Sequence, residues 1–266
     1  MRRRFFVDAF AGGTARLTGE AAHHLARVLR AESGQLYELS DANSVFLARI
    51  ERVSSDRVEF ALLEELPAPA ASPEISMLLA IVKFDRFEWA LEKATELGVN
   101  TIVPLAAERS DKALVFAAVK RAARWRKILV ESAQQARSLR PPSLHGVMRP
   151  ASSFVENTAS LKVLFSERDR AVPVQAVFKE AASKGIESVP QRIALAVGPE
   201  GGWTDEEFDA AFVAGFREAS LGKNILRTET AVIAGLAAAH LYFDVAGQAP
   251  KAQGHGDHRV AEQAES

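Results

Sequence analysis

The chain has 266 residues, 48% hydrophobic and 25% charged, which suits one large or two modest globular domains with a sizeable core. It contains no cysteine, which excludes disulfides, thiolate metal sites and cysteine nucleophiles, and it has no apolar run long enough to span a membrane. The net charge is −1, but charge is sorted into blocks: residues 1–30 hold six Arg against two acids (net +4), residues 31–66 three Arg against eight acids (net −5), and residues 108–149 ten Lys/Arg against three acids (net +7). A local basic face can steer a polyanion whatever the total, although each block also reads as an ordinary solvated helix face.

The chain opens on Arg4-Phe5-Phe6-Val7, a strand pattern, with too short an apolar stretch for a secretory h-region, so a cytoplasmic protein is expected. After Thr18-Gly19, Ala22, Leu25, Val28 and Leu29 recur at helical spacing. Strands are predicted near 35–40, 45–53 and 57–63, divided by Asp41-Ala42-Asn43-Ser44 and Ser54-Ser55-Asp56. This predicts a small β-barrel with one helix over residues 1–66, then the stiff Pro- and Ala-rich stretch 67–73, so that the first domain is expected over residues 1–70. Residues 73–245 then alternate. Ile75–Val82 is a continuous apolar run of the kind buried on both faces of a parallel sheet. Asp85-Arg86-Phe87-Glu88 reads as a capping box for a helix ending at Gly98. Further strands are predicted at 99–105, 161–166, 192–197 and 217–221, with helices at about 120–138, 173–184, 204–214 and 229–245. Thr204-Asp205-Glu206-Glu207 is a second capping box. The fold class is therefore α/β with a parallel sheet, plus a small N-terminal β-barrel. Residues 246–266 are polar and aperiodic, which predicts a disordered tail. His255-Gly256-Asp257-His258 has a metal-like look there without further ligands, and His23-His24 reads as a surface-helix pair, so no metal is expected.

Two loops stand where open α/β sheets bind ligands, between a strand and the next helix. The first is Gly198-Pro199-Glu200-Gly201-Gly202, where glycines permit close backbone approach. Pro199 offers no N–H to a phosphate, Glu200 would repel one, and neither the dinucleotide nor the P-loop fingerprint is present. A cationic or neutral ligand suits this loop better. The second loop runs from Leu221 through Gly222 and Arg227 to Thr230; Leu221, Ile225 and Leu226 can form an apolar slot beside the polar groups of Arg227, Thr228 and Glu229.

These two motifs, "VGPEGG" and "LGKNILRTETA", resemble the RsmE family of the SPOUT methyltransferases, which modify N3 of uridine in 16S ribosomal RNA. "RRRFFVD", "HHLARVLR" and "ALEKATELGVNTIVPLAAERS" are similar to the family's earlier segments, so the resemblance covers about residues 2–245. One stretch departs from the family pattern: Gln134-Gln135-Ala136-Arg137 stands where an acid, a Gln, a small polar residue and an Arg are usual. The resemblance implies a PUA-like or OB-like N-terminal barrel, a C-terminal domain with a trefoil knot, a homodimer, S-adenosylmethionine (SAM) as cofactor, and the small ribosomal subunit as partner. On this reading Val197, Gly198, Pro199, Gly201, Gly202, Ser220, Leu221, Gly222, Ile225, Leu226 and Thr228 hold the cofactor. Uridine N3 must lose its proton as it attacks, so Glu200 is the first candidate base and Glu229 the second, while Arg227 would stabilise negative charge on the uracil. Arg2, Arg3, Arg4, Arg27, Arg30, Arg109, Arg137 and Arg140 are the expected RNA contacts. The alternatives are a SPOUT enzyme for another RNA, a non-catalytic RNA-binding module, and a nucleotide-dependent metabolic enzyme, which the missing phosphate fingerprints disfavour.

Overall fold

The computed structural model describes residues 3–67, 72–183 and 190–243. The predicted tail 246–266, with its His255 and His258, lies outside them. The N-terminal unit is a five-stranded sheet built from β1 (Arg4–Phe6), β2 (Thr14–Thr18), β3 (Leu36–Ser40), β4 (Val45–Val53) and β5 (Arg57–Leu66). Its order is β1-β3-β4-β5-β2, parallel between β1 and β3 and antiparallel elsewhere. Bulges between Leu47/Ala48 and between Ile50/Arg52 bend the long β4–β5 pair. Phe5, Leu17, Leu25, Leu39, Ile50, Val58 and Phe60 fill its core. Strand β2 was not foreseen, because only Ala15 and Leu17 mark its inward face against the exposed Thr14, Arg16 and Thr18. The helix after Thr18 is α1 (Gly19–His23), which widens into a π-helical turn over His24–Val28.

The second unit is a seven-stranded, all-parallel sheet. Its strands are β6 (Glu74–Ala80), β7 (Thr101–Leu105), β8 (Ser143–Leu144), β9 (Leu161–Phe165), β10 (Val172–Pro173), β11 (Arg192–Val197) and β12 (Arg217–Ser220). They lie in the order β10-β12-β9-β11-β6-β7-β8. Helices α2 (Phe84–Glu96), α3 (Lys112–Ala136), α4 (Pro150–Glu156), α5 (Val174–Ala182), α6 (Asp205–Val213) and α7 (Thr228–Phe243) cover both faces. The apolar runs of β6 and β11 are split between two cores, as a doubly covered sheet requires. Ile75, Met77, Leu79, Ile193, Leu195 and Val197 join the core under α2, α3, α5 and α7, whereas Leu78, Ala80, Ala194 and Ala196 join the one under α4 and α6.

Two helix starts differ from expectation. Helix α2 begins at Phe84 behind Lys83, which makes no side-chain cap, so Asp85 lies inside the first turn and complements the helix dipole instead of capping. Helix α3 begins eight residues earlier than its apolar spacing indicated, because the Asp111 carboxylate accepts from the N–H groups of Ala113 (2.8 Å) and Leu114 (3.4 Å). The Thr204 capping box is present, with Glu207 as its return partner.

Helix α7 lies hard against the end of β9. A Cβ at Gly235 would come within 2.6 Å of the Phe165 ring. Gly235→Ala is therefore expected to destabilise the chain by about 1–3 kcal/mol through overpacking, read as a lower urea midpoint at unchanged slope.

Candidate active site

Strand β9 lies between β11 and β12, so the loops leaving the carboxyl ends of these three strands converge. A cleft lies among them. Its apolar wall comes from Phe165, Val197, Trp203, Leu221, Ile225 and Leu226, and its polar wall includes Ser166, Glu167, Glu200, Asn224 and Thr228. Among the described residues no Lys, Arg or His lines it, although Arg109 and Arg168 line a second pocket that shares Ser166, Glu167, Gly202 and Trp203 with it.

The two loops are joined directly. The Thr228 hydroxyl, at the start of α7, donates to the Gly198 carbonyl at 3.0 Å. The Trp203 indole donates to the Phe165 carbonyl at 3.1 Å, which pins the end of the first loop to β9. Gly202 closes a turn onto the Pro199 carbonyl at 2.8 Å with φ +69°, a conformation that glycine adopts freely. A Cβ at Gly198 would stand 3.0 Å from the Trp203 ring, so this glycine is needed for close packing.

The loop is also held from outside. Arg86, in the first turn of α2, binds Glu200 at 2.7 Å. Arg109 donates to the Gly201 carbonyl at 2.8 Å, and the Glu108 N–H donates to Glu207 at 2.9 Å. Hydrogen bonds from its own backbone N–H and from the Thr204 hydroxyl hold the Glu206 carboxyl below the ordinary carboxylate range, and the Arg109 charge adds to this.

Of the residues the sequence nominated for a cofactor, Val197, Gly198, Pro199, Gly202, Leu221, Gly222, Ile225, Leu226 and Thr228 line the cleft, as does Glu200. Gly201 and Ser220 do not. The missing Cβ of Gly201 makes room for Arg109, whose Cβ would lie 3.2 Å away, and so serves the outer side of the loop. Arg227 is exposed and does not line the cleft, although it lies between the lining residues Leu226 and Thr228. Arg227 and Glu229 form no ion pair with each other among the described residues. Glu229 is buried in the first turn of α7, and its Oε2 has no hydrogen-bond partner among the described residues. Sequence reasoning missed Phe165, Ser166, Glu167, Trp203 and Asn224, which line the cleft, and Arg86, which holds Glu200. Arg86 is 114 residues from its partner, and no local pattern signals such a pairing.

The arginines nominated for RNA divide. Arg3, Arg27 and Arg30 are exposed on the N-terminal unit, and Arg30 has φ 50° where the π-turn ends. Arg109 and Arg140 are also exposed, with Arg140 3.5 Å from Glu74. Arg2 lies outside the described residues. Arg4 corrects the expectation: its side chain is 9% exposed, and its guanidinium binds Glu38 through Nε (3.2 Å) and Nη2 (3.0 Å). Arg137 binds the other oxygen of Glu38 at 2.6 Å. Among the described residues no three metal-ligating side chains gather, and no helix is long and apolar enough to cross a membrane.

The RNA methyltransferase domain family matches residues 70–240, and the RNA methyltransferase PUA domain family matches residues 17–63. The chain is 34% identical over 237 residues to ribosomal RNA small subunit methyltransferase E of Synechocystis, covering 84% of this chain and 72% of the relative. Against the protein of the same name from Bacillus subtilis the identity is 29%, covering 84% and 88%. Among solved structures, ribosomal RNA small subunit methyltransferase E of Neisseria gonorrhoeae, bound to S-adenosyl methionine, superposes with a TM-score of 0.79 at 31% identity, over 92% of this chain and 99% of that one. A Legionella pneumophila structure with bound SAM superposes with a TM-score of 0.76 at 29% identity, over 91% and 98%.

Proposed function

The chain belongs to the ribosomal RNA small subunit methyltransferase E family, and on that premise we propose that it methylates N3 of a uridine in 16S ribosomal RNA with SAM as donor. The observation that carries this reading is the cleft itself. It sets an apolar slot beside the carboxylates of Glu167 and Glu200, the latter bound by Arg86, and among the described residues no cationic side chain stands in the lining itself. An apolar slot beside carboxylates suits a sulfonium with an adenine better than it suits a phosphate-bearing cofactor.

When bound, SAM supplies an activated methyl group on its sulfonium. Leu221, Ile225 and Leu226 would hold the adenine side, and the bond from Thr228 to the Gly198 carbonyl keeps the two loops in register. Positioning and electrostatics are what remains for the protein to provide. Glu200 is the candidate base: Arg86 orients it through Oε1. Glu229 is the second candidate. Arg227, exposed between the lining residues Leu226 and Thr228, is the group we assign to negative charge on the uracil.

In this reading residues 1–70 are the RNA-binding barrel, residues 73–245 are the SPOUT domain, the cleft loops belong to its trefoil knot, and the enzyme is a cytoplasmic homodimer acting on the small ribosomal subunit. Arg3, Arg27, Arg30, Arg109 and Arg140 supply the phosphate contacts. Replacing Arg27 and Arg30 together with Ala is expected to weaken RNA binding and to lower the slope of log affinity against log salt by roughly one per residue, with SAM affinity unchanged. An unaltered slope places the RNA elsewhere.

The functional test pairs calorimetry with mapping. SAM should bind, while NAD and ATP should not. Small subunits from a deletion strain should lack one N3-methyluridine that the purified protein restores. Subunits that stay unmethylated with SAM-loaded protein overturn the reading.

A further inference from the structure

We propose that Glu38 is a positioning residue, whose buried carboxylate clamps the N-terminal sheet to the end of α3 and so fixes how RNA held by that sheet meets the cleft. This rests on the functional reading above. Glu38 lies in β3, with a side chain 7% exposed. Its Oε2 accepts from Arg4 of β1 and its Oε1 accepts from Arg137, the residue that ends α3. The third corner closes the triangle, because Arg4 Nη1 donates to the Arg137 carbonyl at 2.6 Å. One step further on, the Ser40 hydroxyl donates to the Leu139 carbonyl, also at 2.6 Å. The exposed pair Lys127–Glu20, at 3.0 Å, also crosses between the units, but a solvated pair of this kind holds little.

A buried ionic cluster is a poor means of gaining stability, since its desolvation cost offsets most of its Coulomb attraction. What it does supply is a single geometry. Arg137 shows the constraint: it has φ 58°, an unusual conformation for a residue with a side chain, and the cluster fixes both its carbonyl and its guanidinium. The clamp is also connected to the chemistry. Helix α3 has 25 residues, so it is a rod of about 37 Å. Just before its other end, Arg109 holds the Gly201 carbonyl. In mid-helix Arg121 and Arg124 bind Glu88 of α2 at 3.3 and 2.8 Å, and α2 carries Arg86 to Glu200. The same rod therefore meets the clamp at one end and the catalytic loop at the other.

The absence of cysteine makes the test direct, because Ser55→Cys and Ala151→Cys, both at exposed positions, place one spin label on each unit. In Glu38→Gln the distance distribution between the labels should broaden. The KM for small subunits should rise about tenfold or more as the second contact loses its effective concentration. Both kcat at saturation and SAM affinity should stay within about twofold. The sign is diagnostic: deleting a negative charge near RNA would by electrostatics alone lower KM, so a rise reports lost orientation. Arg137→Gly guards against a folding defect. Glycine is the preferred residue at a left-handed helix end, so this variant keeps the cap and the carbonyl while losing the guanidinium, and it should reproduce the broadened distance distribution; KM is read from Glu38→Gln alone, because Arg137 is itself an expected RNA contact. An unchanged KM in folded Glu38→Gln, or an unchanged distance distribution in both folded variants, overturns the proposal. A wild-type chain that binds SAM but leaves small subunits unmethylated overturns the functional reading instead, and the label distances then decide on the clamp alone.

Discussion

Arg4→Glu should lower stability by about 3–5 kcal/mol, the cost typical of breaking a buried ion pair, because it replaces the buried one of the two cations on Glu38 with a second carboxylate. The native guanidinium makes three hydrogen bonds, two to Glu38 and one to the Arg137 carbonyl, from a side chain that is 9% exposed. The variant removes all three and sets a second carboxylate against Glu38 where water cannot separate them. A domain has only about 5–15 kcal/mol in total, so the loss should be plain in urea unfolding and should reduce the soluble yield. Arg3→Glu is the control. It is one residue away and exposed, so its effect should fall within about 0.5 kcal/mol. Salt separates the two mechanisms: screening relieves repulsion between exposed charges and leaves the buried contact almost untouched. An Arg4→Glu chain that unfolds at the wild-type urea concentration would contradict the burial of Arg4. This also replaces the role that the sequence gave Arg4. In a basic stretch such as Met1-Arg2-Arg3-Arg4, composition cannot tell which arginine faces water, because the partner that decides it, Glu38, lies 34 residues away in another strand.

The same division runs through the fold. Elements whose sequence carries their own period were legible: the apolar runs of β6 and β11, the alternation in β5, and the Thr204 capping box all follow from local chemistry. Elements that exist because a neighbour pairs with them were not. Strand β2 offers only Ala15 and Leu17 to the core and is held by its pairing with β5, while β8 and β10 have two residues each. In the site, both glycine-bearing loops could be read because a bend and a close approach demand glycine. Their convergence depends on β9 lying between β11 and β12, a matter of strand order that no local pattern records. Phe165 and Glu167 therefore enter the cleft unannounced, one at the end of an ordinary apolar strand and the other just beyond it.

Arg227→Ala should lower turnover about a hundredfold or more, the usual cost of removing one well-placed electrostatic group, while leaving affinity for SAM and RNA nearly unchanged. Interactions made chiefly in the transition state appear in kcat, whereas uniform contacts appear in KM. Arg227 suits this test because it is exposed and forms no ion pair among the described residues, so its loss leaves no buried partner behind. Glu200 needs a different comparison, since its carboxylate is bound to Arg86 at 2.7 Å and half faces solvent. Glu200→Gln keeps the shape and one acceptor oxygen for Arg86 while removing the basic group. If Glu200 takes the N3 proton, this variant binds SAM normally and turns over slowly at neutral pH. It then recovers as the pH rises and free uridine N3 ionises unaided. Arg86→Met isolates the orienting contact: it should slow the wild-type carboxylate and add little further loss in the Glu200→Gln background, because groups acting as a unit are not additive. The measurement is single-turnover methyl transfer to small subunits across a pH series, with SAM affinity determined separately. A Glu200→Gln enzyme with the wild-type rate at every pH removes the base from Glu200. The Arg86 contact is then a brace for the loop, and Glu229, with its Oε2 unpartnered among the described residues, becomes the carboxylate to test next.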